Sequence, residues 1–309
     1  MKKKEWLNYL KTSCLNLLIF MQIGIYSCGN FENSSNSKEL VLVCGDSKVL
    51  LVEYPENNDT IPKFIWSWDA HLANDLPFEY RTKKFNSIDD CKPTPDLKQI
   101  MISSSSGAVA IVAIEDKRVT FLADVPNAHS IELLPGNKII AAASTASKGN
   151  RIMLFDLTQP AELLDTDSLY SAHGVVWDKK RNSLFALGYD VLREYKIQNE
   201  KELLLNEEWK IPGISGHDLQ MAPDGDKLFI TEHIGAWEFD LNFFKFNKIN
   251  QFPDAENIKS LNQNKKGQFV YTVPEESWWT YHVSFFNPEV KLSFPNMKVY
   301  KARLYEPGI

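Results

Sequence analysis

Three imidazoles recur at one interval. His129, His173 and His217 stand 44 residues apart, and each opens a similar phrase: Ala-His-Ser-Ile-Glu-Leu from Ala128, Ala-His-Gly-Val-Val-Trp from Ala172 and Gly-His-Asp-Leu-Gln-Met from Gly216. Neutral imidazole is the commonest side-chain metal ligand, and its unperturbed pKa lies close to neutrality. Brought together, the three rings would hold a divalent metal, with Asp89, Asp90 or Glu232 completing the shell, or would supply a general base. A divalent metal is thus the one cofactor the residues suggest. The same spacing is also what a structural repeat produces, its rings bonded to backbone.

Other groups suit recognition. Glu275-Glu276 precede Trp278-Trp279, and adjacent indoles beside carboxylates fit a sugar, with ring faces stacking and acids bonding hydroxyls. One of the two tryptophans is expected to pack into the neighbouring unit instead. Lys92 and Lys259 follow acidic segments, where they would neutralise those acids or bind a uronate carboxylate. No G-x-S-x-G, H-E-x-x-H, phosphate-binding G-x-x-x-x-G-K or G-x-G-x-x-G is present, so serine hydrolases, zincins and nucleotide enzymes lack sequence support.

These residues must be positioned by strands. Apolar runs of four to eight residues, broken by Gly, Pro, Asn and Asp, recur through the chain with little helical periodicity. Four strands per ~40–45 residues is the arithmetic of a propeller blade. Five blades follow from residue 89 onward. Residues 38–70 hold three strands, and Met297–Tyr305 hold one more. The expected fold is therefore all-β, a six-bladed β-propeller whose C-terminal strand completes the first blade and closes the ring.

Antiparallel alternation then defines a face. The segment leading into each first strand and the loop between strands two and three lie on the same side. His71, Asp89, Asp90, His129, His173, Tyr189, His217, Glu232, His233, Asn257, Lys259, Glu275, Glu276, Trp278 and Trp279 fall there, and only His282 is expected elsewhere. His129, His173, His217 and His233 are the catalytic candidates, the first three also the metal candidates. The remainder, His233 and His282 apart, are ligand-binding candidates.

The N-terminus reads as a secretory signal over 1–27, with Lys2, Lys3, Lys4 and Lys11 before an apolar stretch too short to span a bilayer. Ile25-Tyr26-Ser27-Cys28-Gly29 resembles a lipobox, which makes Cys28 the lipidation site, 28–37 a tether and 38–309 a single domain. Removing 1–27 moves the net charge from −6 to −9, and no basic cluster remains for a nucleic acid. Cys44 and Cys91 are the only cysteines left in the fold, and are expected as separate buried thiols.

The phrases Val-Cys-Gly-Asp-Ser-Lys (43–48), Trp-Ser-Trp-Asp-Ala-His (66–71), Ile-Asp-Asp-Cys-Lys-Pro (88–93), Ser-Ser-Ser-Ser-Gly-Ala-Val-Ala (103–110), Leu-Gly-Tyr-Asp-Val-Leu-Arg-Glu-Tyr (187–195) and Pro-Glu-Glu-Ser-Trp-Trp (274–279) resemble a Bacteroidetes family of envelope lipoproteins with a WD40/YVTN-like β-propeller. That family has no assigned function. The resemblance implies a lipid-anchored envelope protein, facing the periplasm or the outer surface, beside glycan-uptake systems. The expected function is binding, with or without processing, of a carbohydrate-derived molecule or glycan by a monomer. The alternatives are a metal-dependent polysaccharide lyase or hydrolase and a non-catalytic protein-docking scaffold. The sequence leaves open whether the protein is an enzyme.

Overall fold

Strand composition in this chain comes in two kinds, and the difference builds the fold. Ala108–Ala113 (Ala-Val-Ala-Ile-Val-Ala) and Lys138–Ala143 (Lys-Ile-Ile-Ala-Ala-Ala) are apolar almost without alternation and buried along nearly their whole length. Such a strand needs cover on both faces. Leu163–Ser168 is half-buried and carries two aspartates, and Glu202–Lys210 is largely exposed and rich in charge, which suits sheet edges kept from pairing with other chains.

The computed structural model describes residues 39–55, 60–157, 162–249 and 255–306. These form six four-stranded antiparallel sheets. The innermost strands are β4 (Ile88–Pro93), β8 (Ala128–Leu134), β12 (Gly174–Asp178), β16 (Asp218–Met221), β20 (Ser260–Gln263) and β24 (Val299–Leu304). Each contacts the next, and β24 contacts both β20 and β4, closing the ring. The six-bladed propeller expected from the repeat is the fold observed, and β24 is the inner strand of the first blade, paired to β1 (Leu40–Gly45).

The core is a set of wedges between blades. One holds Leu42, Leu51, Trp68, Ile88 and Ile102, from blades one and two. Another holds Val43, Val270, Phe285 and Ala302, from blades six and one. Inner strands approach closely: a Cβ on Gly174 would lie 2.5 Å from Leu219 Cβ in the next blade. The turn after β8 has Gly136 at φ 73° and Asn137 at φ 57°, a turn with both central residues left-handed, which suits the strand twist.

Two expectations need adjustment. His282 begins the third strand of blade six, and its Nδ1 lies 2.8 Å from Glu275 Oε1. A third strand starts where the two-to-three loop ends, so His282 belongs to the histidine face after all. Lys92 lies towards the far end of its inner strand, where it pairs with Glu132 and donates to the Val175 carbonyl while its charge still helps to hold Asp90 ionised. Cys44 and Cys91 are both buried free thiols, and they interact with each other across the seam between blades one and two. The signal, Cys28 and the tether lie outside the described residues. Among the described residues no helix is long and apolar enough to cross a membrane.

Candidate functional site at the channel mouth

Equivalent positions in consecutive blades bring the three imidazoles side by side. His129 stacks on His173 at 4.2 Å between ring centroids, and His173 meets His217 edge-on at 5.9 Å. Tyr300 of β24 lies 6.0 Å from His129. Lys259, one blade on from His217, completes the group, its Nζ 2.9 Å from His217 Nε2.

Hydrogen bonds fix the tautomers. His173 Nδ1 lies 2.8 Å from the Ser171 carbonyl, an acceptor only, so Nδ1 carries the proton and Nε2 is bare. The Lys259 ammonium donates to His217 Nε2, and Asn257 supplies a second hydrogen-bonding side chain to that ring. His129 Nδ1 is buried without a partner. Burial and the neighbouring positive charges keep all three rings neutral. His173 is pushed down to about 4, His217 to about 2, and His129 well below its usual value. Such weak bases are poorly matched to proton abstraction near neutral pH.

The rings come together as the repeat predicts, but not as a metal shell. In-plane lone pairs of two stacked rings run side by side rather than towards one point. A buried ammonium 2.9 Å from His217 also opposes a second cation. Among the described residues no group of three His, Cys, Asp or Glu is placed to hold a metal ion.

The lysine is the unusual member. Lys259 is only 2 % exposed, yet among the described residues no carboxylate pairs with it. Its pKa is lowered to about 8, by burial first and by Lys301 second. The opposing cover is an indole: Trp278, 61 % exposed, lies with its ring centroid 5.4 Å from Nζ. A buried charge without a counter-ion is costly, so the mouth presents an ammonium, a bare ring nitrogen and an exposed aromatic face together. Asp89, buried nearby and hydrogen-bonded by the Ser105 amide at 2.5 Å, is raised by burial to about 7.

Directly below, the channel is sealed. Arg303 donates to both Asp218 oxygens at 2.6 Å and to Asp90 at 2.8 Å. Lys301 adds a bond of 3.0 Å to Asp218. All four side chains are at most 2 % exposed. Two acids and two bases cancel, so this layer is a structural plug, and Asp90 is committed to it rather than to a ligand.

The other sequence candidates sort by place. Trp279 packs edge-on against Tyr300 of the next blade at 5.8 Å, the structural tryptophan of the pair. Glu232 is buried and taken up by Trp237 Nε1 and the Ile234 amide, each at 2.7 Å. Glu275 and Glu276 bond His282 and Tyr281. Tyr189 stands against Tyr170. His71 is exposed and held by Asn86 at 2.7 Å, and His233 is exposed on the hairpin after Glu232. Among the described residues, neither bonds to or stacks on the three clustered rings. Sequence reasoning missed Tyr300, Lys301, Arg303 and Asp218. The available signal was Lys301 and Arg303 alternating within a strand that closes the ring.

Residues 38–306 match the profile of a family described as a family of unknown function, DUF6528. No curated protein matches the chain. Among solved structures, a functionally unknown protein from Desulfotomaculum acetoxidans DSM 771 superposes with a TM-score of 0.56 at 12 % identity, over 87 % of this chain and 86 % of that one. At that identity the likeness concerns the fold alone.

Proposed function

The chain belongs to the DUF6528 family, and from its channel mouth we propose that it is a ligand-binding β-propeller that takes a carboxylate-bearing, carbohydrate-derived molecule of the uronate kind. One observation carries the reading: among the described residues Lys259 is a buried ammonium without a carboxylate, roofed by an exposed indole. A uronate supplies what is missing, a carboxylate for Nζ and a sugar face for Trp278. The bare Nε2 of His173 accepts a hydroxyl hydrogen, and Glu276 lies within the same loop as Trp278 for a further hydroxyl. The low basicity of the imidazoles favours binding over proton abstraction. The lipobox-like segment ending at Cys28 supports anchorage in the cell envelope, where such a molecule would be met.

Isothermal titration with D-galacturonate and D-galactose tests the assignment. The acid binds, and the neutral sugar binds at least about tenfold more weakly, since a charge-assisted hydrogen bond contributes roughly 1.5–3 kcal/mol. Lys259→Met removes the difference. Equal binding of the two sugars, or an unchanged preference in Lys259→Met, refutes the assignment. Binding of neither sugar favours the docking scaffold.

A further inference from the structure

The histidine face leaves large apolar side chains in solvent along one side of its mouth. Tyr170, Ile214, Ile234 and Trp278 are all at least half exposed. Tyr170 and Ile214 lie in the segments that lead into β12 and β16, and Ile234 and Trp278 in the loops between the second and third strands of blades five and six. Backbone hydrogen bonds tie these segments to one another in turn. The Tyr189 amide donates to the Tyr170 carbonyl at 2.9 Å, Gly216 to Tyr189 at 3.1 Å, His233 to Ile214 at 3.2 Å and Asn257 to His233 at 3.0 Å. They form one arc, which begins three residues before His173 and ends two residues before Lys259. Single exposed apolar side chains are ordinary, whereas a contiguous row of them beside a site marks a surface that something covers.

Both ends of this arc are aromatic. At the Lys259 end stands the Trp278 indole. At the other end Tyr170 rests against Tyr189, with ring centroids 5.5 Å apart and planes tilted by 59°. Tyr189 braces one side of Tyr170, and the rest of that exposed ring meets water. Ser171 joins this end to the mouth, since its carbonyl holds His173 Nδ1. From there His173 touches His217, and His217 touches Lys259, so the two aromatic ends are separated by only a few ring contacts. A single uronate on Lys259 and Trp278 leaves Tyr170 untouched. Lys210, beside the tyrosines, already pairs with Asp190 at 3.6 Å, so the Tyr170 end suits a sugar face rather than a second anion.

We propose that the mouth takes a short oligosaccharide rather than a single sugar, with a uronate at the Lys259–Trp278 end and a later ring of the same chain on Tyr170. The inference rests on the uronate reading above and extends it to the size of the ligand. The C–H face of a sugar packs on a phenol ring as it does on an indole, and Ile214 and Ile234 give apolar surface to the rings between.

The probes are D-galacturonate and linear trigalacturonate, titrated calorimetrically into the protein and into Tyr170→Ala. The trimer is expected to bind about tenfold more tightly than the monomer, the worth of one further aromatic contact. Tyr170→Ala brings the trimer down to the affinity of the monomer. Equal affinity for the two sugars in the unaltered protein overturns the inference and leaves the uronate reading standing. A trimer advantage that survives Tyr170→Ala overturns it as well. Binding of neither sugar refutes the uronate reading, and the inference falls with it. Should Tyr170→Ala fail to fold, the comparison of the two sugars on the unaltered protein still decides.

Discussion

Lys259→Met should make the protein more stable while removing its ligand. In the folded chain the amine is brought down from 10.5 to about 8. Keeping it protonated at pH 7 therefore costs the native state about 3 kcal/mol relative to an unfolded lysine. Methionine keeps the apolar stem and carries no charge. The substitution forfeits the charge-assisted bond to His217 Nε2, a loss of about 1.5 kcal/mol, so the net gain is about 1.5 kcal/mol. The pH dependence has a definite sign. The folded pKa lies below the unfolded one, so between about 8 and 10.5 the unfolded chain holds more protons. The lysine's penalty is complete below pH 8 and relieved as pH rises towards 10.5. Urea melts of both proteins at pH 7 and about pH 9.5 read this directly, and the advantage of the variant should be lost at the higher pH. A variant less stable than the parent at pH 7, or an advantage independent of pH, would refute the reasoning.

Three further outcomes are expected. Arg303→Met leaves Asp90 and Asp218 buried without their shared guanidinium and should cost about 3–5 kcal/mol in a urea melt; a loss under about 1 kcal/mol contradicts the plug. On the acid side, His173 and His217 stay neutral when folded but charge when unfolded, so stability falls as pH drops below 6.5 towards the folded value of about 4 for His173. His173→Gln should recover roughly 2 kcal/mol of that loss at about pH 4.5, and a pH profile unchanged from the parent's contradicts the neutral-ring assignment. Trp278→Ala should weaken galacturonate while changing stability by less than about 0.5 kcal/mol, whereas Trp279→Ala should cost about 2 kcal/mol through lost packing on Tyr300; thermal melts and titration separate the two.

The fold was legible because the repeat states it twice, in strand pattern and in period. Turn signals such as Pro135-Gly136-Asn137 marked the hairpins, and the unpaired strand at 297–305 had one place to go in a closed ring. The histidine cluster was legible for the same reason, since equivalent positions in adjacent blades must be neighbours. Its chemistry was not. Whether imidazoles converge or stack depends on ring rotation, here set by the Ser171 carbonyl and the Lys259 amine, and neither partner announces itself by spacing. Asp90 and Glu232 read as available acids because their partners, Arg303 and Trp237, are identified only by the closed structure. His282 was misplaced by a boundary: a strand that starts at the ring rather than before it changes the face.

The central claim is that Lys259 is an open anion site. The most direct measurement is an NMR titration of its ε-methylene in lysine-labelled protein, assigned by Lys259→Met, without ligand and with saturating D-galacturonate or D-galactose. The free amine should titrate near 8, move upward when the acid is bound and stay in place with the neutral sugar. A free value at the ordinary 10.5, or one indifferent to the acid, would contradict it.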